Sequence, residues 1–267
     1  MTVKIAILGG GPVAAFVYRA CRDFKIPNSD ILIYTQAIIQ EISGAAWFRS
    51  MPKLPGDIQP EPVSIHVFGV GDSEEYFNKQ WTSRSKIKNR SSSFPEIAYV
   101  SEGYNPRECL RPMLKDANVV ITQKLRDWQM KEIAEESTLV FQTFPTKEAS
   151  LKSNYVSRPV IIFPNYAYPN HCWVMYNGMK GPMVRISSLF GYIYVEYVSK
   201  HSLNYRAVGF SNRLTYFNDL HPDVSPISPY NGLENNVILI GRYATCDRKM
   251  LAHEAYGKTT ELLGKHL

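Results

Sequence analysis

Three small residues at fixed spacing open this chain: Gly9, Gly11 and Ala14. They follow the apolar run Ile5-Ala6-Ile7-Leu8 and precede an apolar stretch from Pro12 through Cys21. Between a strand and a helix, G-x-G-x-x-A is the fingerprint of a dinucleotide-binding turn. Each residue type has a physical reason. Gly9 makes the tight turn, Gly11 lets the backbone approach a pyrophosphate, and Ala14 lets the helix lie close to the strand. Gly10 and Val13 complete the turn. The first amides of such a helix lack intrahelical partners and point toward phosphate. Pro12 is tolerated there because its missing N–H would be unpaired anyway. A second apolar strand, Ile31 to Tyr34, ends at Thr35 and Gln36, where a carboxylate usually holds the ribose hydroxyls. Both residues are neutral hydrogen-bonding groups. Neither is a cation suited to a 2′-phosphate, so NADP is not expected.

Other sets of reactive residues are sparse. The chain shows no Ser-His-Asp order, no Walker loop and no metal-ligand spacing. The four cysteines, Cys21, Cys109, Cys172 and Cys246, have no C-x-x-C spacing and read as free thiols of a reducing compartment. The densest cationic run carries Arg84, Lys86, Lys88 and Arg90 beside Ser91-Ser92-Ser93. It reads either as a loop that grips phosphates or as a solvated loop.

The elements that must position these residues follow the same alternation. After the opening β-α-β, positions 37–62 hold Ser43-Gly44-Ala45-Ala46-Trp47 and then Pro52, Pro55, Pro60 and Pro62, which exclude a long helix. By position, Ser43 to Ala46 lie near the dinucleotide. Strands are expected at Val63 to Phe68, Val119 to Thr122 and Leu139 to Phe144, helices at Asp72 to Trp81 and Arg107 to Lys115, and either a helix or a turn over the charged segment Asp127 to Glu136. From about 158 to 218 the alternation is that of antiparallel strands: Val160 to Phe163, His171 to Tyr176, Val184 to Leu189 and Tyr192 to Val198. A last apolar strand, Val237 to Ile240, ends at Gly241-Arg242; a loop over Tyr243 to Asp247 and a helix from about Lys249 follow. The fold class is therefore α/β: a Rossmann-like domain of residues 1–62, 115–150 and 235–267, with an inserted antiparallel β substrate region of residues 63–114 and 151–234.

Length and charge agree with this. At 267 residues and 45% hydrophobic the chain can bury a large core, and its net charge of +6 favours anionic partners. No apolar run reaches the roughly 18 residues of a membrane span. The charged start at Lys4, entering a strand at once, carries no leader pattern, so a cytoplasmic location is expected.

The two ends together resemble FAD-binding proteins of the glutathione-reductase-like class. The tail, with its strand ending in Gly241-Arg242 before a helix, is most similar to UDP-galactopyranose mutases and flavin amine oxidases. The resemblance implies FAD, with pyrophosphate at Gly9, Gly10, Gly11 and Pro12, ribose at Thr35 and Gln36, and adenine near Lys124 and Leu125. It further implies that Gly241, Arg242, Met250 and Leu251 lie beside the flavin. Candidates around the flavin are then Ala45, Ala46, Trp47, Arg185, Tyr176, Asn177, His171, His253 and Glu254, with Gln80 and Trp81 toward the substrate. Arg185, Tyr176 and His253 are the expected catalytic residues, Arg185 as a fork for a carboxylate or phosphate. Activities implied are oxidation of a C–N bond, including that of an amino acid attached to a thymine in hypermodified phage DNA held by the basic loop; a sugar-nucleotide mutase reaction; or non-catalytic dinucleotide binding.

Overall fold

The computed structural model describes residues 4–36, 47–52, 58–68, 99–122, 125–144, 156–177, 181–197, 214–219, 236–245 and 251–267. In chain order these form β1 (Ile5–Leu8), α1 (Pro12–Asp23), β2 (Ile31–Thr35), β3 (Glu61–Phe68), β4 (Tyr99–Gly103), α2 (Pro106–Leu114), β5 (Val119–Ile121) and α3 (Asp127–Glu136). They continue with β6 (Leu139–Gln142), β7 (Val156–Pro164), β8 (Cys172–Asn177), β9 (Met183–Leu189), β10 (Tyr192–Tyr197), β11 (Leu214–Asp219), β12 (Val237–Leu239), α4 (Arg242–Thr245) and α5 (Glu254–His266).

The first sheet has the order β12-β6-β1-β2-β5, and every pairing in it is parallel. β1 lies at its centre and is buried along its whole length, which is why Ile5 to Leu8 read as an unbroken apolar run. One face of β1 and β6, through Ile5, Ile7, Leu139 and Phe141, packs on α1, α2 and α5; the other, through Ala6, Leu8 and Val140, packs on Ile133 and Ala134 of α3. The chain leaves β1 for β2 on one side, and β6 pairs on the other. That reversal creates a crevice at the carboxyl ends of β1 and β6, where open α/β sheets bind ligands.

The two ends of the chain pack on each other here. α5 lies along α1, and the Tyr256 hydroxyl donates to Asp23 Oδ2 at 2.9 Å while Arg19 pairs with the same carboxylate at 2.7 Å. Burial first, and then the Asp23 carboxylate, hold the Tyr256 hydroxyl above its ordinary pKa. Tyr256→Phe is expected to cost about 1 kcal/mol, read as a lower denaturation midpoint at unchanged m.

The second sheet has seven strands in the order β11-β7-β10-β9-β8-β3-β4. Its pairings are antiparallel except β3 with β8, which run parallel. The antiparallel strands expected between 158 and 218 are therefore present; the edge strand β4 was not anticipated. Val63, Cys172, Val174, Leu189, Tyr194 and Val160 line its buried face, with Trp47 packed against them. Cys21, Cys109 and Cys172 are free and buried, and burial pushes each thiol up to about 12. We expect all three to resist a thiol reagent at pH 8 and to label only on unfolding.

Two expectations for the tail are corrected. The residues after Gly241 form a helical turn, α4, rather than a loop, because the Gly241 carbonyl accepts both the Thr245 N–H (3.0 Å) and the Thr245 hydroxyl (2.9 Å). The last helix begins at Glu254 rather than near Lys249; Leu251 to His253 precede it as a turn, in which the Leu251 N–H donates to the Glu254 carboxylate at 2.6 Å. The helix expected at Asp72 to Trp81 lies outside the described residues.

Candidate dinucleotide site

At the end of β1 the backbone of Gly9 takes φ +116°, and its N–H donates to the Tyr34 carbonyl at 2.8 Å. A Cβ at Gly9 would come 2.2 Å from Thr143 Oγ1 and 3.6 Å from Phe144 Cδ1. Thr143 is fixed in place, since its hydroxyl and its N–H both donate to the Leu8 carbonyl at 2.9 Å. The turn is thus clasped by the end of β6, and only glycine fits it.

Gly11 is the N-cap of α1 and Pro12 follows at its first turn. No side chain caps this helix and no acid lies in its first turn, so its leading amides and the positive end of its dipole face the crevice unopposed. Ala14 is fully buried behind them. The carboxyl end of β12 arrives at the same point. Gly241 is buried with φ +89°, and a Cβ there would meet Val13 Cγ2 at 2.7 Å and Cγ1 at 2.8 Å. The first and last strands of the parallel sheet therefore converge on one helix start.

Beside them, Gln142 is almost fully buried at the end of β6, in register with Leu8 and Leu239. Its Nε2 donates to the Phe144 carbonyl at 3.0 Å, while its Oε1 has no partner among the described residues. Farther along the crevice, Thr35 is buried at the end of β2, its carbonyl accepting the Thr122 N–H at 2.8 Å, and Gln36 is exposed next to it. Leu125 is half-buried and packs with Tyr34 on the α3 face.

These residues fit a dinucleotide. Two glycines let Thr143 and Val13 close on the turn, an uncapped helix start supplies amides for a diphosphate, and the buried Gln142 Oε1 has no donor among the described residues. Thr143 and Gln142 were not read from the sequence; two polar residues closing the apolar run Leu139 to Phe141 are the signal that marks them.

The remaining predicted residues fall into separate groups. Arg185 and Tyr176 are brought together, opposite each other on β9 and β8, with the Arg185 guanidinium carbon 5.9 Å from the Tyr176 ring centre. Arg185 is also bound to Glu196 opposite it on β10: Nε donates to Oε1 at 3.0 Å and Nη2 donates to the same oxygen. Glu196 is buried, so the predicted anion-binding fork already holds a carboxylate of the chain itself. Asn177 is buried and donates to the Met183 carbonyl at 2.9 Å, closing the β8–β9 connection. His171 is exposed in the loop before β8.

His253 stands apart at the N-cap of α5, half-buried. Burial lowers its pKa; Glu254 opposes and Arg49 adds to the lowering, so the imidazole is neutral at pH 7. Leu251 is half-buried, with its N–H already taken by Glu254. Trp47 covers Gly103, where a Cβ would meet its Cδ1 at 2.7 Å, and its buried Nε1 has no partner among the described residues. Arg242 opens α4. Ala45, Ala46, Gln80, Trp81, Arg84, Lys86, Lys88, Arg90, Lys124 and Met250 lie outside the described residues. Among the described residues no cluster of His, Cys, Asp and Glu is arranged to hold a metal, and no helix is long and apolar enough to cross a membrane.

No family model matches this chain, and no curated protein sequence matches it. Solved structures do. Reduced UDP-galactopyranose mutase is similar at TM-score 0.55 and 10% identity, over 99% of this chain and 94% of that one. The tryptophan 6-halogenase SttH of Streptomyces toxytricini is similar at TM-score 0.52 and 12% identity, over 99% of this chain and 72% of that one. The glycerol-3-phosphate dehydrogenase of Bacillus halodurans, complexed with FAD, is similar at TM-score 0.50 and 12% identity, over 99% of this chain. This chain spans 64% of the dehydrogenase's length. At such identities the likeness is one of fold. The parallel sheet with its glycine turn, joined to a largely antiparallel β region, is the Rossmann-like architecture of these proteins.

Proposed function

We propose that this chain is an FAD-dependent enzyme that oxidises a C–N bond of an amine. The observation that carries the reading is the seating of Gly241 on Val13, which brings the first and last strands of the parallel sheet to one uncapped helix start. With both strand ends close-packed on the start of α1, its leading amides are left for a diphosphate such as that of FAD. FAD, when bound, would supply the acceptor for one hydride, which carries both electrons of the oxidation.

The chain's own residues would do the rest. The leading amides of α1 hold the diphosphate, with Gly9 and Gly11 keeping side chains away from it. Thr35 and Gln36 face the ribose, and Leu125 with Tyr34 borders the adenine. The Trp47, Tyr176 and Arg185 side of the second sheet borders the substrate and excludes water. His253, held neutral by burial, takes a proton at a ring nitrogen.

The fold likeness to UDP-galactopyranose mutase, over 94% of that chain, favours a second reading as a sugar-nucleotide mutase. One experiment separates the two. Flavin-loaded protein is mixed anaerobically with a free amino acid, a polyamine and DNA carrying a thymine-linked amino acid. Bleaching of the visible flavin bands by one of these amines is the expected result. If none bleaches, and UDP-galactopyranose is converted only after chemical reduction, the amine reading fails and the mutase reading replaces it.

A further inference from the structure

The middle of the second sheet holds a buried hydroxyl with nothing to bond. Ser187 on β9 is fully buried, and its Oγ has no partner among the described residues. Its neighbour Ser188, just as buried but on the opposite face, shows the ordinary arrangement: its Oγ accepts from Asn165 Nδ2 at 2.8 Å. A buried polar group left unpaired costs stability, so the Ser187 hydroxyl is placed for a group that comes from outside the chain.

Residues two apart along a strand share a face, so the register fixes what surrounds Ser187. It lies between Val174 of β8 and Tyr194 of β10, while Arg185 lies between Tyr176 and Glu196. Ser187 and Glu196 are therefore diagonal neighbours, with backbones about 7–8 Å apart. Glu196 is only half used. Nε and Nη2 of Arg185 both donate to its Oε1, and among the described residues no donor reaches Oε2. One face thus carries two buried acceptors, Ser187 Oγ and Glu196 Oε2, beside Val174, Tyr176 and Tyr194.

The chemistry of this set selects its occupant. Two acceptors are matched by two hydrogens on one atom, which an NH2 group carries and a single hydroxyl does not. The Arg185–Glu196 pair is neutral overall. An ammonium would add a buried charge without a counter-ion of its own, whereas an uncharged amino group adds none. From this we infer that Ser187 Oγ and Glu196 Oε2 are the subsite for the substrate's primary amino group, which binds uncharged with one N–H on each oxygen. Arg185 is the positioning residue that holds Glu196 in place. The inference rests on the amine reading above and names the residues that would receive the amine.

The test uses the full-length, FAD-loaded protein and three small probes in ligand-observed NMR titrations. Aniline is uncharged at neutral pH and offers two N–H donors; toluene has nearly the same shape and none. Wild type binds aniline at least about fivefold more tightly than toluene, and Ser187→Ala weakens aniline by about fivefold without changing toluene. The variant leaves the Arg185–Glu196 pair intact. Its FAD content is unchanged and its thermal midpoint is equal to that of wild type or higher, since no hydrogen bond of the chain is lost. tert-Butylamine, an ammonium at neutral pH, binds about tenfold more tightly for each pH unit upward, as only its free base enters. The inference is overturned if aniline does not bind, if toluene binds as tightly, if Ser187→Ala leaves aniline unaffected, or if tert-butylamine affinity ignores pH. A lower midpoint for Ser187→Ala also overturns it, because the hydroxyl would then serve a buried structural water. Neither amine probe has a hydrogen on the carbon bearing nitrogen, so binding is read without oxidation. Probes that bind as described beside a flavin that no amine bleaches would leave the subsite standing and end the oxidation reading. Bleaching by an amine with no probe bound would do the reverse.

Discussion

Gly9→Ala is expected to abolish dinucleotide binding and to destabilise the fold by about 2–6 kcal/mol, the sum of backbone strain and overpacking. At φ +116° the backbone lies where a Cβ is strained whatever its surroundings. The surroundings add to this, because the new Cβ would sit 2.2 Å from Thr143 Oγ1, which is buried and bonded to the Leu8 carbonyl. Thr143 cannot swing away without giving up that bond, so β1 and β6 must separate at the edge where the ligand lies. Chemical denaturation and FAD titration measure the two consequences. Adding Thr143→Ala to Gly9→Ala removes the clash but not the φ strain, so stability returns only in part. Full recovery would show that backbone conformation has no role, and no loss at all in the single variant would contradict the described turn.

The second large effect lies in the other sheet. Arg185→Ala leaves the buried Glu196 carboxylate without its guanidinium partner, and removing one member of such a pair costs about 3–5 kcal/mol. Arg185→Met with Glu196→Leu removes both charges and keeps apolar volume, so it is expected to be neutral or stabilising relative to wild type. Denaturation midpoints rank the three proteins. This pair of variants also separates structure from chemistry. If the double variant is stable and FAD-loaded but is no longer bleached by substrate, Arg185 acts on substrate as well as on Glu196. If it retains activity, the ion pair serves the fold alone.

What could be read from the chain, and what could not, follows from whether a signal is local. The glycine turn was legible because strand, turn and helix start are contiguous, and each small residue answers a local steric demand. The parallel sheet was legible in the uninterrupted apolar run of β1, and the antiparallel region in its alternation. Thr143 was not, because its importance arises from parallel register with β1, more than a hundred residues away. The Arg185–Glu196 pair likewise depends on the β9–β10 register, and a lone arginine in a strand does not announce its partner. β4 is short and sits at a sheet edge with Val100 exposed, so it lacks the alternation that marks a strand. The short helix α4 has too few residues to show a period, and α5 starts at Glu254 with no side-chain cap to mark it in the sequence.

In the function proposed above, Gly9, Gly11 and Gly241 build one site for FAD. The most direct measurement is the flavin content of the purified full-length protein, by visible absorbance and by FAD released on denaturation, with wild type and Gly9→Ala compared after incubation with excess FAD. The expected result is stoichiometric FAD in wild type and none in Gly9→Ala. A wild-type protein that stays colourless with FAD in excess would contradict it.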